Sequence, residues 1–221
     1  MTAAGSGNAP LGRVVRLQVQ RSRLKPGPAR GRAYRPAPIT GVDVLRVTAD
    51  GAVGERGGEE ILDVHSADHP ESRHRAGRNG LSLMTTAGYE RLRARYGPHL
   101  VDGIAGESVL VDAPVVLDGG FEGRDLEVLT ADGPVRLTRV AICSPCVEFT
   151  RFCLGREPDT SVDDEVRAGL DALGGGARGL LAAAAAPGTI RVGDVVRLAG
   201  PGPAHGSPPP RHLHGLLGLP E

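Results

Sequence analysis

All three cysteines of the chain, Cys143, Cys146 and Cys153, fall within residues 140–155, together with Phe149 and Phe152, two of its three phenylalanines. Thiols are strong nucleophiles and soft metal ligands, and the thiolate is the form that does either. Apolar residues 137–142 read as a strand. Pro145 cannot donate a backbone hydrogen bond, so that strand should stop near Ser144 and leave Cys146 where strand gives way to loop. A thiolate held there can meet free backbone N–H groups. Free cysteine is also among the most buried residue types, so Cys153 reads as a small core residue and Cys143 stands open between core and site. The Cys-x-x-Cys spacing further permits a redox pair or half a zinc site. A structural zinc site usually shows a second ligand pair at short spacing, which His212 and His214, two apart beyond a proline-rich run, do not supply.

A second polar concentration lies at residues 65–79, where His65, Asp68, His69, Glu71, Arg73, His74, Arg75 and Arg78 crowd together. This is too polar for a core. It is either a solvated loop or the wall of a pocket in which arginines grip an anion bidentately. Lys25 is the single lysine of the chain, set in a Pro/Gly/Arg-rich loop over residues 22–38. A pyridoxal phosphate enzyme needs a lysine for its Schiff base, and the place of Lys25 in that loop argues against autonomous chemistry of this kind. Glycines 103 and 106 ahead of an apolar strand allow either a plain turn or a close backbone approach to a ligand.

Composition narrows the classes. The 26 acidic and 26 basic residues balance, so no global field favours nucleic acid or a membrane surface. Aromatic residues make up 3% of the chain, too few for the stacking platforms of single-strand binders. With 33 glycines and 18 prolines in 221 residues, turns are frequent and a helical bundle is disfavoured. The first twelve residues carry no apolar h-region and the run 179–186 is far short of the ~20 residues of a membrane span. An odd cysteine count without a secretory signal predicts reduced thiols and a cytoplasmic protein.

The elements that must position these groups are short. Residues 13–20 alternate as a strand with Val14, Val15, Leu17 and Val19 on the buried face. Strands are predicted at 42–49, closed by the Asp50-Gly51 turn, and at 60–64, 81–84, 109–111, 180–186 and 194–198, with a hairpin of 126–130 and 135–142 through Asp132-Gly133. Thr85 or Thr86 caps a helix running to Tyr96 and ended by Gly97-Pro98. A second helix, 163–173, is capped by Ser161 or Asp163 and ended by three glycines. The reading is a mainly β, barrel-like domain with one or two flanking helices, spanning 13–199 between a disordered leader (1–12) and a Pro/Gly-rich tail (200–221).

Taken in order, these pieces resemble the MOSC domain, the module named for the C-terminal part of molybdenum cofactor sulfurases. Asp63-Val-His65 is similar to the end of its Gly-Asp-x-His segment, with Ile61 and Leu62 where a glycine is expected. Gly80-Leu-Ser-Leu-Met84 with the Tyr89 helix resembles its middle region, and Gly106-Glu107-Ser108 its Gly-Glu-Asn segment, with serine for asparagine. Ser144-Pro-Cys146 matches its Pro-Cys segment, and Gly188-Thr-Ile-Arg-Val-Gly193-Asp194 the segment that leads into its last strand. The resemblance implies a β-barrel fold, with Cys146 as molybdenum ligand or sulfur carrier at a barrel rim. It further implies a molybdenum-pterin cofactor contacted by Lys25, His65, Arg73, Arg75, Arg78, Glu107 and Ser144.

The function implied is reduction of N-hydroxylated or similar small substrates, with electrons from a partner protein because iron–sulfur cysteine spacing is missing. The alternative is a carrier in which Cys146 takes persulfide sulfur from a cysteine desulfurase and no metal stays bound. A third reading is a degenerate domain that serves as an interaction scaffold.

Overall fold

Strand by strand, apolar alternation in a Gly-punctuated chain produces short β-elements that must pair to bury one face. The computed structural model describes residues 9–28, 31–75 and 77–200. The leader up to residue 8 and the tail from 201, with His212 and His214, lie outside the described residues. The strands are β1 (Pro10–Gln20), β2 (Ile39–Gly41), β3 (Val44–Thr48), β4 (Gly51–Arg56), β5 (Glu59–Leu62), β6 (Leu81–Thr85), β7 (Val109–Asp112), β8 (Leu126–Thr130), β9 (Gly133–Ile142), β10 (Leu180–Ala184), β11 (Gly188–Arg191) and β12 (Val195–Leu198). The helices are α1 (Thr86–Tyr96), α2 (Val147–Cys153) and α3 (Asp164–Leu173).

Among the described residues, β12-β8-β9-β10-β6-β7-β1 close into a barrel through a β12–β1 pairing, with β2 appended to β1. Every neighbouring pair is antiparallel except β6 and β7. A separate sheet in the order β11-β3-β4-β5 packs beside it. The expected mainly β barrel is thus present, and α2 is a helix beyond the two read from sequence. Strands β2, β4 and β11 are likewise additional to those expected from sequence.

Inside the barrel, Val14, Leu17, Leu81, Leu83, Leu137, Leu180 and Val196 share one apolar core with Leu45 and Val47 of the second sheet. Val15 does not join them. The register of β1 against β7 shifts between Val14 and Arg16, and this bulge turns Val15 out to solvent while keeping Leu17 in. Gln18, read as a solvent-facing residue, is only 1% exposed, and its amide donates to the Gly103 carbonyl at 2.8 Å.

A second apolar cluster lies on the outside of the barrel wall. Leu81 and Leu83 point into the barrel, so Met84 of β6 faces outward, and it packs with Tyr89, Leu92, Phe149, Cys153 and Leu173 of the three helices. Thr85 caps α1 by accepting from the Gly88 N–H and Asp163 caps α3 by accepting from the Val166 N–H. Gly97 ends α1 at a backbone φ of 116°.

Candidate functional site

The end of β9 sets up the site. The Cys143 N–H donates to the Gly179 carbonyl at 2.9 Å as the last rung between β9 and the approach to β10. Beyond Pro145 the chain turns into α2, with Cys146 in extended conformation at its N-cap. The Cys146 carbonyl accepts from both the backbone N–H of Thr150, at 3.0 Å, and its hydroxyl, at 2.9 Å. Thr150 is fully buried, so the cysteine backbone is fixed from beneath while its side chain stays half-buried. None of the three cysteines is in a disulfide. Cys153 is enclosed in the outer cluster, and burial pushes its thiol up to about 12.

Cys146 lines a cleft of about 350 Å³. The cleft lies against the outer face of the barrel, where Gln20 ends β1, Gly106 and Glu107 precede β7, and Cys143 follows β9. Its floor includes the paired residues Ser82 of β6 and Leu181 of β10, whose neighbours Leu81, Leu83, Leu180 and Ala182 all point into the barrel core. Of the residues singled out from sequence, Lys25, His65, Arg73, Arg75, Glu107, Ser144 and Cys146 all line this cleft, and Cys143 joins them. Arg78 is exposed and is not among the lining residues.

The guanidinium next to the sulfur comes from a residue the sequence reading passed over. Arg178 Nη1 stands 3.7 Å from Cys146 Sγ and 3.5 Å from the Ser144 carbonyl. Its Nη2 stands 3.4 Å from the Ala105 carbonyl, and the group lies over the Phe149 ring at 4.3 Å. Burial works against its charge, but the electrostatic influence of Cys143, Cys146 and Tyr34 outweighs that loss and raises its pKa. Gly179 makes this placement possible: its φ is +75°, and a Cβ there would sit 2.0 Å from the Leu83 carbonyl oxygen. The available signal was a lone arginine in an otherwise Gly/Ala run, 174–179, just before a strand.

The opposite wall is built on Asp63, 1% exposed. Its Oδ2 accepts from the Gln20 N–H at 2.8 Å, and its Oδ1 accepts from the His65 N–H at 2.7 Å and from His65 Nδ1 at 2.8 Å. A carboxylate only accepts, so Nδ1 of His65 carries a proton, and in the neutral ring the lone pair is on Nε2. Gln20 also donates through Nε2 to the Gly106 carbonyl at 2.6 Å, tying the Asp63 wall to the loop before β7.

That loop delivers Glu107, 3% exposed, which accepts from the Tyr89 hydroxyl at 2.8 Å through Oε2. Burial lifts its carboxyl from 4.5 to about 7. Its Oε1 has no partner among the described residues.

Basic side chains crowd the mouth. Burial, then the neighbouring charges of Arg23, Arg75 and Arg32, lower the pKa of Arg73, with Glu71 opposing. Lys25 and Arg32 reach Glu148 at 3.9 and 3.8 Å, which offsets part of the charge. The scarce aromatics gather here as well: Tyr34 lies 4.9 Å from Phe149 and 5.1 Å from Phe152, and its hydroxyl donates to the Ile104 carbonyl at 2.7 Å. A larger hollow of about 670 Å³ beside β9 and β10, lined by Asp50, His74 and Arg139, holds none of the expected site residues.

Among the described residues, no helix is long and apolar enough to cross a membrane. No curated protein matches the chain. The crystal structure of YuaD from Bacillus subtilis superposes with a TM-score of 0.55 at 14% identity, covering 85% of this chain and 94% of that one. That of a hypothetical protein gives 0.53 at 13% identity, covering 87% and 68%. YiiM from Escherichia coli gives 0.47 at 14% identity, covering 86% and 70%. The first two show the same fold. A family model, that of the MOSC domain, matches residues 70–197, from the polar segment before β6 into β12. With Cys146, Glu107 and Arg178 inside the matched span, the chain belongs to the MOSC domain family.

Proposed function

We propose that the cleft holds a molybdenum-pterin cofactor, with Cys146 as the protein's ligand to the metal, and that the protein reduces N-hydroxylated small substrates with electrons from a partner protein. The observation that carries this is the half-buried free thiol of Cys146, beside Arg178, in a cleft where Arg23, Arg32, Arg73 and Arg75 outnumber the carboxylates of Glu148 and Glu71 near them. Among the described residues no group of three or more His, Cys, Asp or Glu is placed to hold an ion. A metal at Cys146 would therefore bring most of its ligands with it, as a pterin dithiolene does.

The residues present fit such a group. Thiolate sulfur suits a soft or high-valent metal. Arg73, Arg75, Arg23 and Lys25 are placed for a phosphate, which would offset the burial and then the like charges that lower Arg73. His65, oriented by Asp63, turns Nε2 away from that carboxylate, and Ser144 lines the same cleft. When bound, the cofactor supplies two-electron redox chemistry at its metal. The chain's own part is to ligate through Cys146, to balance charge at the sulfur through Arg178, and to give the cleft apolar lining from Leu24, Tyr34 and Leu181. Three free thiols accord with a cytoplasmic setting.

Protein expressed in a host that makes the cofactor should contain molybdenum by elemental analysis, and Cys146→Ser should lose both the metal and the reductase activity while keeping the far-ultraviolet circular dichroism of the wild type. A fully loaded, active serine variant would end the proposal. The second reading, a persulfide carrier, is favoured by Cys143 lining the same cleft as a second free thiol. Mass spectrometry after incubation with a cysteine desulfurase should then find added sulfur on Cys146, and an unmodified Cys146 excludes that route.

A further inference from the structure

We propose that Glu107 is the proton donor of the cleft, holding a proton on Oε1 and passing it to the hydroxyl that departs when an N–O bond is reduced beside Cys146. The proposal rests on the reductase reading above for its substrate, but its first half, a proton held at a stated atom, stands on geometry alone.

The Tyr89 oxygen accepts the Ala105 N–H at 3.0 Å, so its own proton is free to point at Glu107, and it does so at 2.8 Å from Oε2. With Oε2 occupied as an acceptor, a proton on this carboxyl belongs on Oε1. Oε1 is buried and has no partner among the described residues, and Glu107 lines the same cleft as Cys146. A buried oxygen with nothing to bond to is costly unless it is protonated or meets a ligand. The carboxyl is also tied to the sulfur side of the cleft through one residue: the Ala105 N–H reaches Tyr89, and the Ala105 carbonyl faces Arg178 Nη2, whose Nη1 stands at Cys146 Sγ.

The charged and titratable groups around Glu107 come from each element packed on it. Tyr89 on α1 donates to it, Arg16 on β1 favours its charged form, and Asp102 on its own loop disfavours it; Tyr34, from the segment before β2, also feels its charge. Burial dominates, so the carboxyl titrates at about 7, where an acid that must both give up and regain a proton is most useful.

The step balances as follows. Breaking the N–O bond of an N-hydroxylated substrate consumes two electrons and two protons. The electrons come from the partner protein, one proton passes from Oε1 to the hydroxyl, which leaves as water, and the other reaches the nitrogen from solvent. Glu107 then takes a proton back from solvent.

The test uses the full chain and two readouts. Infrared difference spectroscopy across pH should show a protonated carboxyl stretch that disappears with a midpoint near pH 7 and is missing in Glu107→Gln. In Tyr89→Phe, which removes a donor to the charged form, the midpoint should move up. A midpoint in the ordinary carboxylate range, or one unmoved in Tyr89→Phe, overturns the proton-holding role. In molybdenum-loaded protein, Glu107→Gln should lower kcat per bound molybdenum roughly 100-fold with KM little changed; a loaded variant with wild-type kcat per molybdenum overturns the donor role. Wild-type protein that takes up no molybdenum yet shows the midpoint near pH 7 would remove the reductase reading and leave the proton on Oε1 supported.

Discussion

Replacing Asp63 with Asn changes one atom of a buried side chain and should cost about 3 kcal/mol. Three donors converge on its two oxygens: the Gln20 N–H on Oδ2, and the His65 N–H and Nδ1–H on Oδ1. A carboxylate accepts all three, whereas an amide offers one oxygen and presents its NH2 to whatever faces the other side. The amide keeps most by leaving its oxygen where two donors meet, so the Gln20 N–H loses its partner. An orphaned buried donor costs about 1–3 kcal/mol, and the two surviving bonds each weaken by roughly 0.5 kcal/mol on losing charge assistance. For a domain of this size that is a fall in Tm of about 6–12 °C. Thermal and urea unfolding of Asp63→Asn against wild type measures it. A variant within about 0.5 kcal/mol of wild type would refute the reasoning, because it would mean that these bonds are not held in competition with water. Binding should suffer separately: the imidazole of His65 loses the acceptor that orients it, so molybdenum content should fall even at temperatures where the variant is fully folded.

Two further substitutions probe the scaffold and the buried acid. Gly179→Ala places a Cβ 2.0 Å from the Leu83 carbonyl oxygen at a φ of +75°, and should cost more than about 3 kcal/mol by urea unfolding, whereas Gly175→Ala, at φ +63° with open space, should cost only about 1 kcal/mol. A similar cost for the two would show that the backbone at Gly179 yields to the clash. Glu107 makes stability fall with pH: its folded pKa of about 7 lies above the ordinary 4.5, so between those values the folded state binds the extra proton, and its contribution is complete below 4.5 and lost as pH rises through 7. The loss amounts to about 3 kcal/mol, and Glu107→Gln, which keeps a group for Tyr89 to bond, should flatten that slope; urea titrations at pH 4.5, 6 and 8 measure it, and equal slopes in the two proteins would contradict the burial argument.

The parts that could be read in advance are those where a local pattern and the tertiary structure ask for the same thing. Thr85 before α1, Gly97 after it, Asp163 before α3 and the β8–β9 hairpin are decided within a few residues of chain, and each lies where the pattern placed it. Val15 was misplaced because strict alternation contains no bulge, and the shift between Val14 and Arg16 is imposed by pairing with β7, a distant partner. Helix α2 gave no signal because Cys146 makes no side-chain cap and the helix is seven residues of mixed propensity, held by Phe149, Thr150 and Cys153 in the outer cluster. On the site side, Cys146 declared itself by Pro145 and by the concentration of thiols. Arg178 did not, since its role depends on the sheet bringing Gly179 against Leu83, and Glu107 stood out only through the family resemblance.

The distribution of unfavourable terms separates scaffold from site more sharply than the motifs do. Inside the barrel the buried apolar cluster is aliphatic throughout. Around Cys146 the same chain gathers a carboxyl lifted to about 7, an arginine lowered by burial and by the arginines beside it, and buried nitrogens and oxygens on Arg178, Arg32 and Glu107 without partners among the described residues. Each of these lowers the stability of the ligand-free fold, and packing alone gives no reason to cluster them on one wall. A ligand that carried an anionic group to the arginines, a hydrogen-bonding edge to Glu107 and an electrophilic centre to the sulfur would relieve all of them together, and a fold selected to bind it would tolerate the cost in its absence.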